Sequence, residues 1–350
     1  MKKVFRLVAV VAATVMAATT FVAPATAATK VKVGLAYDIG GRGDKSFNDS
    51  AAAGLDRAKK KFGVTAREVT VTQGSDSERE NKLRLLAKAG FNPIIAVGFL
   101  YATPLAKVAA DYPKIQFGII DDASIDLPNV AGLVFAEHEG SYLAGVAAAL
   151  ASKSGKVGYI GGVRIPLLQK FEAGFVAGVK ATKKSVTVDV KYITEPPNFG
   201  GFNDPANAKV IAKGMIDRGV DVIYSAAGGS GAGNFQAATD AAKAGKKVWT
   251  IGVDSDQYLS ASAAEKKNML TSMIKRVDNA VYDVIASTIA GSKVNDILDI
   301  ENAIVGRLYD LSLNGVGVSY SGGYINRYKA QIDKAAAGIK SGKIKVPTKP

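Results

Sequence analysis

The sequence predicts an α/β protein of two lobes, each built on a parallel sheet with helices on both faces. Three observations predict it. Short apolar runs alternate with amphipathic helical patterns along nearly the whole chain. The runs are apolar almost throughout, as strands buried on both faces are. The series restarts near residue 139, and 350 residues suffice for two domains.

The elements follow in order. Residues 1–27 read as a cleaved leader: Lys2, Lys3 and Arg6, then LVAVVAATVMAATTFVA, then Ala25 and Ala27 of an A-x-A site. A membrane anchor is the alternative reading of that run. KVKVGLAYD (30–38) is the first strand. SFNDSAAAGLDRAKKKFG (46–63) is a helix that Ser46 can cap and Gly63 stops. Strands follow at 66–73, 92–98, 114–122 and 130–137. Helices fall at 75–90, capped by Ser75 or Asp76, and at 104–113. The second series opens with a helix at 139–155 and has strands at 156–163, 186–194, 220–228 and 247–256. Its further helices span 167–184, 204–219 and a stretch reaching about Gly245; Asp204 caps the second of these and Pro205 takes its first position. Residues 304–320 read as extended, hairpin-like chain, and 326–342 as a last helix. Returns of the chain between lobes imply hinge strands. The expected boundaries are 28–137 plus about 275–300 for lobe 1, and 138–274 plus about 301–350 for lobe 2.

Composition narrows the function. Net charge is +14, three of it from the leader, and the lysines cluster at 59–61, 183–184 and 340–345 as solvated helix ends and tails. Basic residues do not form a stripe interleaved with aromatics, so nucleic acid is not an expected partner. The chain has no cysteine, hence neither disulfides nor a thiol for lipid attachment. Its one histidine, His138, lies between Glu137 and Glu139 and reads as a hydrogen-bonded hinge residue, not as a catalytic group or metal ligand. Neither a G-x-S-x-G elbow nor a G-x-x-x-x-G-K-[ST] loop occurs, so neither an enzyme nor a cofactor is expected. Acidic pairs remain the one open route to proton-transfer chemistry.

Polar residues gather where strands end: Asp38, Asp121–Asp122, Gly228 and Asp254. Parallel sheets bind ligands outside those ends. A carboxylate accepts two donors in a fork, and an aromatic face covers a flat apolar plane, which suits a sugar or a nucleoside. The opening turn carries Asp38, Asp44 and Asp49 where a phosphate-binding turn would avoid acids. Asp44 can pair with Lys45, and Phe47 can either face a cleft or pack beneath the turn.

DIGGRGDKSFNDSAAAGLDRA (38–58), IGVDSDQ (251–257) and LTSMIKRVDNAVYDVI (270–285) resemble the basic membrane protein family. So do FNDPANAK (202–209), SAAGGSGAGNFQAA (225–238) and AAAGIKSGKIKVP (335–347), all in the same order. These are PnrA-like substrate-binding proteins of ABC importers with the type I periplasmic binding-protein fold. The resemblance spans nearly the whole mature chain. It implies capture of purine nucleosides between two lobes and delivery to permease subunits.

The resemblance also implies site residues. Asp38 reads the polar edge of the base, Asn48 is an amide partner for that edge, and Phe47 and Phe202 stack on its faces. Asp121 is the acid ending the fourth strand, Gly228 lets backbone approach the ligand, and Asp254 and Lys275 grip the ribose. Asp122 and Phe199 are the neighbouring alternatives to Asp121 and Phe202, and Lys275 could instead pair with Asp254. With Asp38 and Phe47 on one lobe and Phe202 and Asp254 on the other, closure would depend on the ligand. Many family members are lipoproteins; this cysteine-free chain is expected to be a soluble periplasmic monomer. A same-fold receptor for a pentose or riboflavin is the alternative, with a nucleoside-processing hydrolase or a sensor subunit further off.

Overall fold

The strands of the computed structural model are, in chain order, β1 (Lys32–Tyr37), β2 (Thr65–Thr70), β3 (Ile94–Ala96), β4 (Phe117–Ile120), β5 (Val130–Phe135), β6 (Lys156–Val163), β7 (Thr187–Thr194), β8 (Val222–Ala226), β9 (Trp249–Asp254), β10 (Met269–Lys275), β11 (Leu298–Asp299), β12 (Ile304–Tyr309) and β13 (Val316–Val318). The structure describes residues 31–299 and 304–350. The expected leader at 1–27 lies outside them. The helices are α1 (Phe47–Phe62), α2 (Asp76–Lys88), α3 (Ala102–Asp111), α4 (Glu137–Ala151), α5 (Pro166–Thr182), α6 (Pro205–Asp217), α7 (Gly231–Lys243), α8 (Gln257–Ser260), α9 (Ala263–Lys266), α10 (Val277–Ile289) and α11 (Lys329–Lys340).

Two sheets result, ordered β11-β12-β5-β4-β3-β1-β2 and β13-β10-β9-β8-β6-β7. All pairings are parallel except β11 with β12 and β10 with β13. Each sheet is wound from its first strand in both directions, which opens a crevice beside β1 and beside β6 at the carboxyl ends. The strands earn that position by composition: β3, β4 and β8 are buried at every residue, and β6 at all but its first.

Local signals work as expected at several ends. Gly63 stops α1 with φ 65°, Ser75 accepts from the Glu78 amide at α2, and Asp204 accepts from the Asn207 amide ahead of Pro205 at α6. Ser46 is different. Its side chain makes no cap bond to α1. Helices α4 and α5 touch backbone to backbone, because a Cβ on Gly174 or Gly178 would lie 2.1 Å from the His138 or Tyr142 carbonyl oxygen.

The chain crosses between the sheets after Phe135, after Lys275 and between Tyr309 and Val316. The last crossing corrects two expectations. Residues 304–320 are not a hairpin, and 304–309, expected with the second lobe as part of 301–350, belong with the first sheet. β12 pairs with β5 in the first sheet, Gly306 opposite Gly132 through Tyr309 opposite Phe135. Only β13 joins the second sheet, antiparallel to β10. Two short apolar runs around a turn look alike whether they pair with each other or with separate sheets. The partner strands, far away in sequence, decide.

Candidate ligand-binding site

A cleft lies between the carboxyl ends of the two sheets. Asp38, Asp44, Phe47, Asn48, Gly98, Phe99 and Asp121 line it from the first sheet and its helices. Leu167, Leu168, Phe171, Phe199, Phe202, Gly228, Asp254 and Lys275 line it from the second. The structure therefore brings all eight sequence-derived site residues into one cavity.

The opening turn explains its own acidity. Asp44 accepts from the backbone amides of Ser46, Asn48 and Asp49 over 2.8, 2.9 and 3.1 Å. Asp49 accepts from the amides of Gly43 and Lys45 over 2.7 and 3.0 Å. The expected Asp44–Lys45 ion pair is absent among the described residues; amide donors, fixed in place by the turn, take the carboxylate instead. These are the N–H groups that a phosphate at a helix N-terminus would use, and they are taken. Asp44 also accepts from Asn48 Nδ2 over 3.0 Å, which orients the amide and leaves Asn48 Oδ1 buried in the cleft wall without a hydrogen-bond partner among the described residues. Burial pushes the Asp44 carboxyl above its ordinary range, against those amide bonds.

Asp38 is held from behind. Its Oδ1 accepts from the Ile39 amide over 2.8 Å and from Arg79 Nη2 over 2.7 Å. Arg79 is 2% exposed. Sequence reading missed it, because an arginine in the charged run SERENKLR looks like a solvated helix face.

Asp121 and Asp254 each follow or end a strand with left-handed backbone, φ 69° and 64°. Non-glycine residues seldom adopt that region, and here it turns both carboxylates out of their sheets into the cleft. Asp122, the alternative, accepts instead from Ser124. Lys275 Nζ lies 2.6 and 2.7 Å from the two Asp121 carboxylate oxygens and 3.4 Å from Glu137 Oε1. It also faces the rings of Phe47, Phe135 and Phe171, 5.2, 5.1 and 5.6 Å from their centroids. Lys275 thus pairs with Asp121 and Glu137, where a pair with Asp254 was the alternative. Burial alone would lower the lysine; Asp121 and Glu137 outweigh it and hold the ammonium above its usual range. Burial also raises Asp121, opposed by Lys275.

Asp254 accepts from Ser46 Oγ over 2.7 Å. Burial pushes Asp254 up to about 7, with Lys275 and the Ser46 bond pulling the other way. Gly228 sits at φ 55°, where a Cβ would come within 3.2 Å of the Phe202 carbonyl oxygen. Phe202 and Phe199 both line the cleft, and Phe199 meets Phe99 of the first lobe edge to face at 6.0 Å. His138 departs from expectation: its Nδ1 is buried without a hydrogen-bond partner among the described residues, and burial pushes it down to about 4. Among the described residues no group of three or more acids and histidines is placed to hold a metal ion.

Two wound parallel sheets, linked by crossing segments and opposed across a cleft of aromatic walls and carboxylates, are the architecture of a solute-binding protein. The crystal structure of such a protein from Aeropyrum pernix K1 superposes with a TM-score of 0.75 at 28% identity, covering 91% of this chain and 93% of that one. The chain belongs to the Bmp family of PnrA-like ABC transporter substrate-binding proteins, whose sequence profile matches residues 30–341. The ABC transporter nucleoside-binding protein BmpA of Lactococcus lactis is 34% identical over 335 residues, 92% of this chain and 90% of that protein. A lipoprotein of Pyrococcus abyssi is 34% identical over 298 residues, 83% of this chain and 70% of that protein. Family members act outside the cytoplasm, bind small molecules and work with permease components; they are not enzymes.

Proposed function

We propose that the cleft binds a purine nucleoside and that the protein carries it to the permease of its importer. The observation that carries this reading is the charge of the lining: Asp38, Asp44, Asp121 and Asp254 face the cavity, while its lysine, Lys275, is already paired with Asp121 and Glu137. A rim of acceptors suits the hydroxyls and N–H groups of an uncharged ligand. Phe47 and Phe202, from opposite lobes, give it flat apolar walls. Asp38 and Asn48 take the base edge, Asp254 and Lys275 the ribose, and Gly228 allows backbone to approach. The printed name of the Lactococcus lactis relative supports the same cargo. The absent cysteine leaves no thiol for a lipid anchor, in keeping with a protein free in the periplasm once the leader is removed, and delivery to a permease suits a monomer.

Mass spectrometry of small molecules freed from the purified protein by denaturation, followed by titration calorimetry, tests this. Inosine, guanosine or adenosine binds, and the matching 5′-monophosphate binds about 100-fold more weakly, because the added charge meets a lining rich in carboxylates whose nearby helix-start amides are already taken. Comparable affinities for nucleoside and nucleotide overturn the reading, as does release of free base from inosine.

A further inference from the structure

We propose that Glu137, outside the cleft lining, is a positioning residue for ligand capture: it holds the Lys275 ammonium in place while the cleft is open. The proposal rests on the nucleoside reading, in which Lys275 donates to the ribose.

Glu137 is 1% exposed and opens α4 directly after the crossing from β5. Its Oε1 lies 3.4 Å from Lys275 Nζ. Its Oε2 has no hydrogen-bond partner among the described residues and lies 3.8 Å from Lys170 Nζ. Both lysines belong to the second lobe, Lys275 ending β10 and Lys170 on α5. So does Glu137 in packing terms. The backbones of α4 and α5 touch at Gly174 and Gly178, which fixes the first turn of α4 to α5.

Asp121 follows β4 in the first sheet. Its contact with Lys275 therefore bridges the lobes, whereas the Glu137–Lys275 contact lies within one. A hinge motion that parts the lobes breaks the first and preserves the second. Lys275 then keeps Glu137 as its ion-pair partner, with Asp254 of the same lobe acting on it at longer range. Without Glu137, a buried ammonium beside Phe171 would swing toward water or give up its proton. Asp121 is thus the closure-dependent partner, and Glu137 the resident one that keeps the donor aimed at the incoming hydroxyls.

Two readouts on the full-length mature protein test this with Glu137→Gln, which keeps shape and polarity but removes the charge. In the ligand-free protein, mass-spectrometric mapping of amine labelling shows Lys275 reacting about tenfold faster in the variant, and Glu137→Asp restoring slow labelling. Unchanged labelling in a folded variant overturns the proposal whatever the ligand. In calorimetry, the variant weakens inosine about tenfold but 2′,3′-dideoxyinosine, which lacks the ribose hydroxyls, less than twofold. An equal loss for both ligands shows a merely structural role and overturns it. Failure of the unaltered protein to bind inosine, guanosine and adenosine alike sinks the nucleoside reading alone, and the labelling result still decides on Glu137.

Discussion

The hydroxyl of Ser46, at the start of α1 in the first lobe, donates over 2.7 Å to Asp254, the last residue of β9 in the second. The return contact is equally short: Ser255 Oγ donates to the Ser46 carbonyl over 2.7 Å. The carboxylate proposed to grip the ribose therefore also clasps the opposite lobe. Ligand and lobe share an acceptor, so binding and closure are coupled through one side chain.

Ser46→Ala separates that role from helix capping. Because Asp44 and not Ser46 bonds the first amides of α1, thermal stability changes little. Nucleoside affinity falls roughly tenfold, the size of one hydrogen bond to a charged group. A large drop in melting temperature with unchanged affinity is the contrary outcome.

Asp254 sets a pH dependence. Its folded pKa of about 7 stands above the ordinary carboxylate value of 3.8, so the folded protein holds a proton there that the unfolded chain releases. The group's contribution to stability is therefore fullest below about 4 and is lost as pH rises through about 7. Ribose hydroxyls donate best to the ionised carboxylate. Binding then expels a proton near neutrality, and affinity rises from about pH 6 to pH 8. Calorimetry in two buffers of different ionisation enthalpy counts that proton; a count of zero refutes the linkage.

Arg79→Met leaves Asp38 without its buried partner. Removing one member of a buried pair destabilises by roughly 3 kcal/mol. Urea unfolding of the ligand-free protein measures this, and the same variant binds nucleosides more weakly because Asp38 is no longer held. A loss below about 1 kcal/mol contradicts the assigned role.

Phe202→Ala and Phe199→Ala settle which ring stacks. Loss of one base–aromatic stack lowers affinity by roughly ten- to a hundredfold. Phe202→Ala shows that loss and Phe199→Ala, whose ring meets Phe99 at 6.0 Å, shows much less. The reverse order, measured with one nucleoside, reassigns the stacking face.

What the sequence made legible was local. Gly63, Ser75 and the Asp204–Pro205 pair each announce a helix end by chemistry contained within four residues. The eight cleft residues were readable because strand ends carry polar groups and because the motifs resemble a known family. What stayed hidden depends on partners far along the chain. Ser46 looks like a cap until Asp254, 208 residues away, takes its hydroxyl. Arg79 looks solvated until Asp38, 41 residues upstream, buries its charge. Glu137 looked like a companion of His138, yet its neighbour in space is Lys275.

The twin plugs at the head of α1 limit how this scaffold can diversify. Asp44 and Asp49 between them occupy five main-chain donors of one turn. Stripping out a single acid would expose donors beside a remaining negative charge and fray the helix start, with no net gain for a phosphorylated cargo. On the nucleoside reading, a lineage drifting toward nucleotides would have to lose both acids together, so the way the helix begins would itself hold the cargo to an uncharged one.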